Sequence, residues 1–221
     1  MSEIQNKKFG FYVSGKATRL KQIIEACPEI INDTYVVIND GEKNSTLNNY
    51  FIKKNIVYLE VDYYNVPKEI RNEFISEFLL KRFQLHKLDY VFCFGARILK
   101  GEILEVFRNR IINFHPSILP MHPGQKSIDK AISAGAFLLG NTAHFIDAGV
   151  DTGPIIMQNI IKYEKKISYD MILSQQIPMI NQIYYWLIQD RIIFESNKVT
   201  IRDSKSNSFF FPSLEVNINK K

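Results

Sequence analysis

The sequence predicts an open, doubly wound α/β fold with a Rossmann-like, mostly parallel sheet and helices on both faces. Strand and helix patterns alternate through the first half of the chain. The run Tyr90–Phe94 is apolar throughout, which is typical of a parallel strand buried on both faces. Two apolar runs in the second half are joined by a tight Asp/Gly loop, so an antiparallel portion is expected there.

In the first half, short apolar runs predict strands and amphipathic stretches predict helices. The predicted strands are Phe9–Val13, Tyr35–Ile38, Ile56–Val61 and Tyr90–Phe94. The predicted helices run from about Leu20 to Ala26, near Ser45 to Lys53, and from about Pro67 to Gln84. Pro67 lies near the first turn of its helix, where a missing N–H costs little.

In the second half, three strands, two helices and a terminal hairpin are predicted. The strands are Ile111–Phe114, Thr142–Ile146 and Pro154–Gln158, and the helices are Lys126–Ala134, ended by Gly135, and Tyr169–Leu187, capped by Ser168. Ile192–Phe194 and Lys198–Ile201 form the hairpin. We expect a main domain over residues 1–190, with the hairpin and tail of residues 191–221 packed on it.

The composition indicates a globular protein: 46% of the 221 residues are hydrophobic and 23% are charged. The net charge of +5 is spread in small groups, so it predicts solvated surface and some attraction for an anionic small molecule, not nucleic-acid binding. Cys27 and Cys93 lie in apolar segments and are expected to be buried free thiols, which fits a cytoplasmic protein. We expect no signal peptide, no membrane span and no metal site.

The most informative motif is Asn113-Phe-His115-Pro-Ser-Ile-Leu-Pro120, which closes an apolar strand. Side chains alternate along a strand, so Asn113 and His115 are expected on one face. An amide that can donate to an oxyanion, beside an imidazole that exchanges protons near neutral pH, suits attack on a carbonyl carbon. A structural role for the histidine remains the alternative.

Four further segments are candidates for binding. Ser14–Arg19 joins the first strand to the first helix, and such a turn offers N–H groups to an anion. Arg97 follows the buried fourth strand, where a guanidinium could meet a carboxylate or phosphate. His144 lies on the strand Thr142–Ile146, and the turn Asp147–Pro154 could bring Asp151 to His115 and raise the imidazole pKa. An ordinary turn, a surface arginine and a packed histidine are the competing interpretations.

Together these segments resemble the folate-dependent formyltransferase family, and most closely its glycinamide ribonucleotide transformylase branch. The motif Asn113–Pro120 is similar to that family's Asn-x-His-Pro-Ser-Leu-Leu-Pro segment. Thr142-Ala-His144-Phe and Asp151-Thr-Gly-Pro-Ile-Ile-Met-Gln158 are similar to its Thr-x-His-x and Asp-x-Gly-Pro-x-Ile-x-Gln runs. The likeness spans about residues 9–194.

The resemblance implies N10-formyltetrahydrofolate as co-substrate, no metal, and attack of a substrate amine on the formyl carbon. It implies that Asn113, His115 and Asp151 are catalytic. The folate-binding residues it implies are Arg97, Ile98, Leu99, Asp147 and Val150. The residues it implies for binding the amine substrate are Ser14, Gly15, Lys16, Arg19, Pro116, Gln125 and His144.

Departures from the family pattern bear on the acceptor. The transformylase loop reads Ser-Gly-Asn-Gly-Ser-Asn, whereas this chain has Lys16 and Arg19 for the asparagines and Ala17 for the second glycine. The glycine permits close backbone approach to a phosphate. The segment Ser208–Ser213 resembles the aromatic-proline endings of sugar N-formyltransferases. We therefore expect a nucleotide-linked amino sugar, specifically a dTDP-4-amino-4,6-dideoxyhexose of O-antigen synthesis, as acceptor.

Several alternatives remain. Phosphoribosylglycinamide formylation in purine synthesis is the nearest. A formyltetrahydrofolate hydrolase usually shows His-His-Ser where this chain has His115-Pro116-Ser117, and methionyl-tRNA formylation normally requires a further C-terminal domain. A non-catalytic binding module would not need Asn113, His115 and Asp151 together. The hairpin edge leads us to expect a homodimer.

Overall fold

The computed structural model describes residues 7–195, 198–204, 210–212 and 215. These residues form two compact units, one up to residue 112 and the other from residue 113 onward. The predicted class is confirmed: the sheet is open and mostly parallel, with an antiparallel portion in the second half and a C-terminal hairpin. The division at residue 190 stays a prediction.

The first unit contains four parallel strands in the order β3-β2-β1-β4. The strands are β1 (Phe9–Val13), β2 (Thr34–Asn39), β3 (Val57–Glu60) and β4 (Tyr90–Phe94). The helices are α1 (Thr18–Ala26), α2 (Pro28–Asn32), α3 (Ser45–Lys53), α4 (Arg71–Leu85, after a 3₁₀ turn at Lys68–Ile70) and α5 (Ile103–Val106). Every residue of β1 is buried, so this strand forms the centre of the unit.

Because these strands are parallel, the loops at their carboxyl ends share one edge of the sheet. The loops cover residues 14–17, 40–44, 61–67 and 95–102. The predicted binding residues of the first unit lie in or beside two of these loops.

The second unit has the strand order β5-β6-β7-β10. Its strands are β5 (Ile111–His115), β6 (Leu138–Phe145), β7 (Ile155–Lys162) and β10 (Phe210–Phe211). Only the last three residues of β5 belong to this unit. A separate hairpin is formed by β8 (Ile192–Glu195) and β9 (Lys198–Ile201). Its helices are α6 (Ser127–Ser133), α7 (Tyr169–Ser174) and α8 (Gln176–Ile188). β7 pairs antiparallel with both β6 and β10.

A buried polar network holds the end of β5 in place. Gln176, at the start of α8, donates to the Phe114 carbonyl at 3.2 Å and to Asn141 Oδ1 at 3.0 Å. The Asn141 amide in turn donates to Asn159 Oδ1 at 3.0 Å. Buried amides are costly unless paired, so this network specifies how α8, β6 and β7 meet the strand that ends at His115.

The predicted last helix is the clearest error, because the structure divides Tyr169–Leu187 into α7 and α8 at Gln175. Pro178 has no N–H to donate to the carbonyl of Ser174, so the helix cannot run through unbroken. Ser168 does cap α7, through a bond from the Met171 N–H at 3.2 Å.

Some elements are longer than predicted, and others were not predicted at all. β6 begins at Leu138 and β7 continues to Lys162. The start of β6 was missed because Gly140 interrupts the apolar pattern of the strand. The strand needs glycine at this position, because a Cβ there would lie 2.1 Å from the Asn159 carbonyl oxygen. Helices α2 and α5 and strand β10 were also missed.

Both cysteines are buried and free, as predicted. Burial raises the pKa of each thiol to about 12, so both are protonated and unreactive at neutral pH. Among the described residues, no helix is long and apolar enough to cross a membrane.

Candidate active site

Three predicted catalytic residues meet in the second unit. The carboxylate of Asp151 lies 3.2 Å from His115 Nδ1 through its Oδ2 atom. Its Oδ1 atom lies 3.5 Å from Asn113 Nδ2. Asn113 and His115 come from alternate positions of β5 and approach the same carboxylate, as expected for side chains on one face of a strand.

Asp151 is held in the turn between β6 and β7. Its φ of 55° is left-handed, a conformation in which aspartate is among the more tolerated residues. The backbone N–H of Gly124 donates to Oδ2 at 2.7 Å, and the side chain is only 13% exposed. The carboxylate is therefore fixed by backbone from the segment that follows β5.

The segment after β5 is itself unusual. His122 and Lys126 have left-handed φ values of 53° and 56°, and Gly124 between them has a φ of 74°. Non-glycine residues in this region are strained, and such strain concentrates at functional sites. Here the strained backbone delivers the His122 carbonyl to the ring of His115 and the Gly124 N–H to Asp151.

His144 is a fourth member of the cluster. It is buried on β6, with Nδ1 2.9 Å from the Phe145 carbonyl oxygen. That oxygen can only accept, so Nδ1 carries a proton. Nε2 then faces the Asn113 amide nitrogen at 3.1 Å and Asp151 Oδ1 at 3.5 Å, so this histidine connects the amide to the carboxylate.

Both ring nitrogens of His115 face oxygen atoms. Nε2 lies 3.0 Å from the His122 carbonyl oxygen, and Nδ1 faces Asp151. A neutral imidazole has one N–H and can satisfy only one of these acceptors, whereas an imidazolium satisfies both. The site is thus built to receive a proton on this ring.

Burial, the largest effect, nevertheless lowers the pKa of His115 below 6.5, although the His122 carbonyl and Asp151 act to raise it. The expected increase is therefore wrong in net direction, because desolvation of the ring outweighs its acidic partner. At neutral pH the resting ring is neutral.

For the pKa of Asp151, in contrast to that of His115, burial does not decide the direction of the shift. Burial is again the largest single effect and would raise its pKa, but it is outweighed. The neighbouring His144 side chain, the hydrogen bond from the Gly124 N–H and the nearby charge of His115 together lower the pKa of Asp151 below 3.8. The site therefore holds an ionised carboxylate beside a neutral imidazole at neutral pH, an arrangement suited to accepting a proton.

The other predicted residues of this unit lie in the segment after β5 and in the turn between β6 and β7. The Pro116 carbonyl accepts from the Ser127 hydroxyl at 3.0 Å. Asp147 Oδ1 accepts from Thr152 Oγ1 at 2.8 Å and from the Gly149 N–H at 3.0 Å, so it shapes the turn that carries Asp151. Gln125 and Val150 are exposed.

In the first unit, the predicted residues occupy the loops at the carboxyl ends of β1 and β4, except for Arg19, which lies in the first turn of α1. Gly15 has a φ of 61°, Lys16 is exposed and Arg19 donates to Gln22 Oε1 at 3.2 Å. Ile98 is exposed, whereas Leu99 is buried.

Ser14 and Arg97 both approach the carboxylate of Asp40, a residue that the sequence analysis did not single out. Its position directly after β2 was the signal that could have found it, because ligand-facing loops lie at the carboxyl ends of such strands.

Comparison with known proteins identifies the family. The model of the formyl transferase family matches residues 7–174. The chain belongs to the formyl transferase family. The predicted family is thereby confirmed, and the protein is an enzyme of that family.

Individual relatives of this formyl transferase point the same way. The phosphoribosylglycinamide formyltransferase of Bacillus subtilis (strain 168) is 26% identical over 194 residues, which cover 87% of this chain and 97% of that protein. The formyltetrahydrofolate deformylase of Haemophilus influenzae is 32% identical over 109 residues, covering 48% of this chain and 39% of that protein. The crystal structure of glycinamide ribonucleotide transformylase 1 from Symbiobacterium toebii superposes with a TM-score of 0.77 at 29% identity, covering 90% of this chain and 96% of that one.

Within the part of the chain that is described, this formyl transferase has no group of three or more histidine, cysteine, aspartate or glutamate side chains arranged to hold a metal ion. The neutral imidazole, the ionised carboxylate and the amide are the chemical groups that the cluster of the second unit offers.

Proposed function

We propose that the protein transfers a formyl group from N10-formyltetrahydrofolate to a primary amine, with Asn113, His115 and Asp151 as catalytic residues. One observation carries the proposal. The amide and the imidazole, placed two residues apart on β5, both lie within 3.5 Å of the carboxylate supplied by the turn between β6 and β7. Family membership and the named folate-dependent relative support folate as the formyl donor.

In the proposed reaction, the lone pair of the amine forms a bond to the formyl carbon, and negative charge develops on the formyl oxygen. The Asn113 side-chain N–H donates to that oxygen. One N–H of this amide is held by His144 at 3.1 Å, and the other, whose contact with Asp151 Oδ1 is long at 3.5 Å, can turn to the developing charge with little reorganisation. Preorganised donors of this kind each contribute about 10²–10³ in rate.

The proton lost by the amine moves to the pair formed by His115 and Asp151. The neutral ring gains its second N–H, and the His122 carbonyl and Asp151 then accept from both nitrogens. The bond from the formyl carbon to N10 breaks, and N10 takes the proton as tetrahydrofolate leaves. Charge and protons balance over the cycle, and the site returns to its starting state.

For the acceptor, we infer that phosphoribosylglycinamide is best supported. The Bacillus subtilis relative is named for that substrate and matches almost from end to end. The Symbiobacterium toebii transformylase, at 29% identity, has the same fold over 90% of this chain. These relatives favour the purine acceptor over the amino sugar that the loop departures favoured.

A nucleotide-linked amino sugar, such as a dTDP-4-amino-4,6-dideoxyhexose, remains the second candidate because of the loop after β1. Ala17 occupies the position of the family's second glycine with a left-handed φ of 51°, and its Cβ limits close approach of a phosphate. The Ser14 hydroxyl donates to Asp40 and is thus already engaged.

The acceptor is tested by incubating the purified protein and N10-formyltetrahydrofolate with each amine separately and weighing the products. We expect formylated glycinamide ribonucleotide. Formylation of the dTDP-amino sugar alone would instead select the second candidate, and formylation of neither would reject both acceptors.

We keep the homodimer as a prediction that light scattering would test. The aromatic tail also bears on whether the protein forms a homodimer. Phe210 and Phe211 extend the sheet beside β7, with Phe211 41% exposed, while Phe209 and Ser213 lie outside the described residues.

A further inference from the structure

A buried carboxylate lies at the carboxyl edge of the first unit. Asp40 directly follows β2 and is only 2% exposed. Its Oδ2 atom accepts from the Tyr12 hydroxyl at 2.8 Å, and its Oδ1 atom accepts from the Ser14 hydroxyl. A buried carboxylate is costly unless donors surround it, so these contacts are what make the position tenable.

Arg97 is the third partner of this carboxylate. Its Nε atom lies 3.6 Å from Asp40 Oδ2, and a terminal guanidinium nitrogen donates to the Tyr63 hydroxyl at 3.0 Å. The guanidinium carbon also lies 4.8 Å from the centre of the Tyr63 ring. The arginine is thus held between a buried acid and an aromatic ring, which fixes where the rest of its guanidinium points.

The loop after β1 also contacts Asp40, through Ser14. Ser14 Oγ accepts from the Ala96 N–H at 2.8 Å while its hydroxyl proton is donated to Asp40. The turn after β2 rests directly on this loop, because a Cβ added to Gly41 would lie 2.1 Å from the Gly15 nitrogen. The loops that follow β1, β2 and β4 therefore converge on one carboxylate.

We propose that Asp40 is a positioning residue that holds the two binding loops of the first unit in register. The inference rests on the proposed function and on two roles that the family resemblance implies: folate binding by Arg97, and binding of the amine substrate by the loop that begins at Ser14. Asp40 contacts neither substrate, since it is buried beneath its partners. It acts by fixing the guanidinium and the serine hydroxyl before a ligand arrives.

The test is Asp40→Asn, which keeps the size of the side chain but removes its charge and places an N–H group among donors. We expect the KM for N10-formyltetrahydrofolate and the KM for the amine each to rise about tenfold or more, because small displacements of positioning groups are costly. We expect kcat to stay within about threefold, because the cluster around Asp151 is unchanged.

Three comparisons separate positioning from general damage. Asp89→Asn is the matched control, since Asp89 accepts from the Lys8 N–H at 2.7 Å just before β4 begins. We expect it to leave both KM values unchanged. Ser14→Ala should raise the KM for the amine more than the KM for folate, because it removes a group of the amine-binding loop as well as one donor to Asp40. Asp40→Asn should add little to the folate KM of Arg97→Ala, because the acid acts through the arginine.

A structural role would give a different result: Asp40→Asn with a lower melting temperature but unchanged KM values overturns the proposal. If that variant does not fold, Tyr12→Phe removes one donor to the acid and should raise both KM values by a smaller factor. Unchanged KM values in a folded Tyr12→Phe likewise overturn it.

Failure of the proposed function is recognised separately by NMR of the arginine Nε–H signals. Asp40→Asn should shift the Arg97 signal and leave that of Arg110, which donates to the Asp89 carbonyl, in place. A shifted Arg97 signal in a protein that formylates no amine would support the positioning role while rejecting the proposed function. An unmoved signal would overturn the positioning role itself.

Discussion

At the scale of single residues, the protonation of His115 is set by two opposing effects of known direction. Burial disfavours the charged ring, as do the nearby charges of His144 and Lys130, whereas its two oxygen neighbours favour it. Burial prevails, so the resting ring is neutral and can take up a proton during the reaction. The sequence placed the acid beside the ring, but it could not give the depth of burial, which depends on the packing of other segments.

The pH dependence of kcat/KM tests this assignment, since that parameter reports the pKa of the essential base in the free enzyme. In the proposed reaction the neutral ring of His115 is the active form, and its pKa lies below 6.5. We expect a constant rate above pH 6.5 and a decline below it. A decline whose midpoint lies above 6.5 would contradict the lowered pKa of His115.

The same shift has a consequence for stability. The pKa of His115 in the folded chain is lower than the value of 6.5 expected after unfolding, so the unfolded state binds the proton first. The folded state therefore loses stability as the pH falls from 6.5 towards the lowered pKa. Asp151 adds no loss in that window, because its own pKa is shifted below 3.8.

At the scale of elements, the turn between β6 and β7 carries the carboxylate and has little room. A Cβ on Gly153 would lie 1.8 Å from the Phe145 carbonyl oxygen, so a larger residue must push the two strands apart. Gly153→Ala is expected to lower the free energy of unfolding by about 1–3 kcal/mol. It should also slow formyl transfer, because Asp151 belongs to the same turn.

Urea unfolding and the transfer assay measure these two effects. Ala148→Ser is the control, since Ala148 is exposed in this turn. A Gly153→Ala protein as stable and as active as the unmodified one would mean that the turn is not constrained as described.

The strands and helices also show which element boundaries can be predicted from local sequence and which cannot. Strands β1 and β4 were predicted with their observed bounds, because short apolar runs between polar loops have few alternative structures. The break before α8 was missed although Pro178 signalled it, because the apolar pattern continues through the break. The start of β6 was missed because local sequence does not show why Gly140 and Asn141 are there. Both residues are required by contacts with Asn159 on β7, which lies 18 or more residues further along the chain.

At the scale of the whole molecule, the family and fold class were predictable because motifs from distant segments agree with one another. The cluster around Asp151 followed from the same motifs. The contribution of His122 and Gly124 was not predictable, since it comes from their backbone groups and not from their side chains. The acceptor was predicted from loop departures, and the named relatives favour a different one.

The central claim is that the cluster on β5 and the turn before β7 moves a formyl group from folate to an amine. The most direct test is the rate of formyl transfer to glycinamide ribonucleotide by the unmodified protein and by His115→Ala, with His86→Ala as a histidine control from the first unit. We predict a loss of about a hundredfold or more for His115→Ala and none for the control. Equal rates in all three proteins would contradict the account.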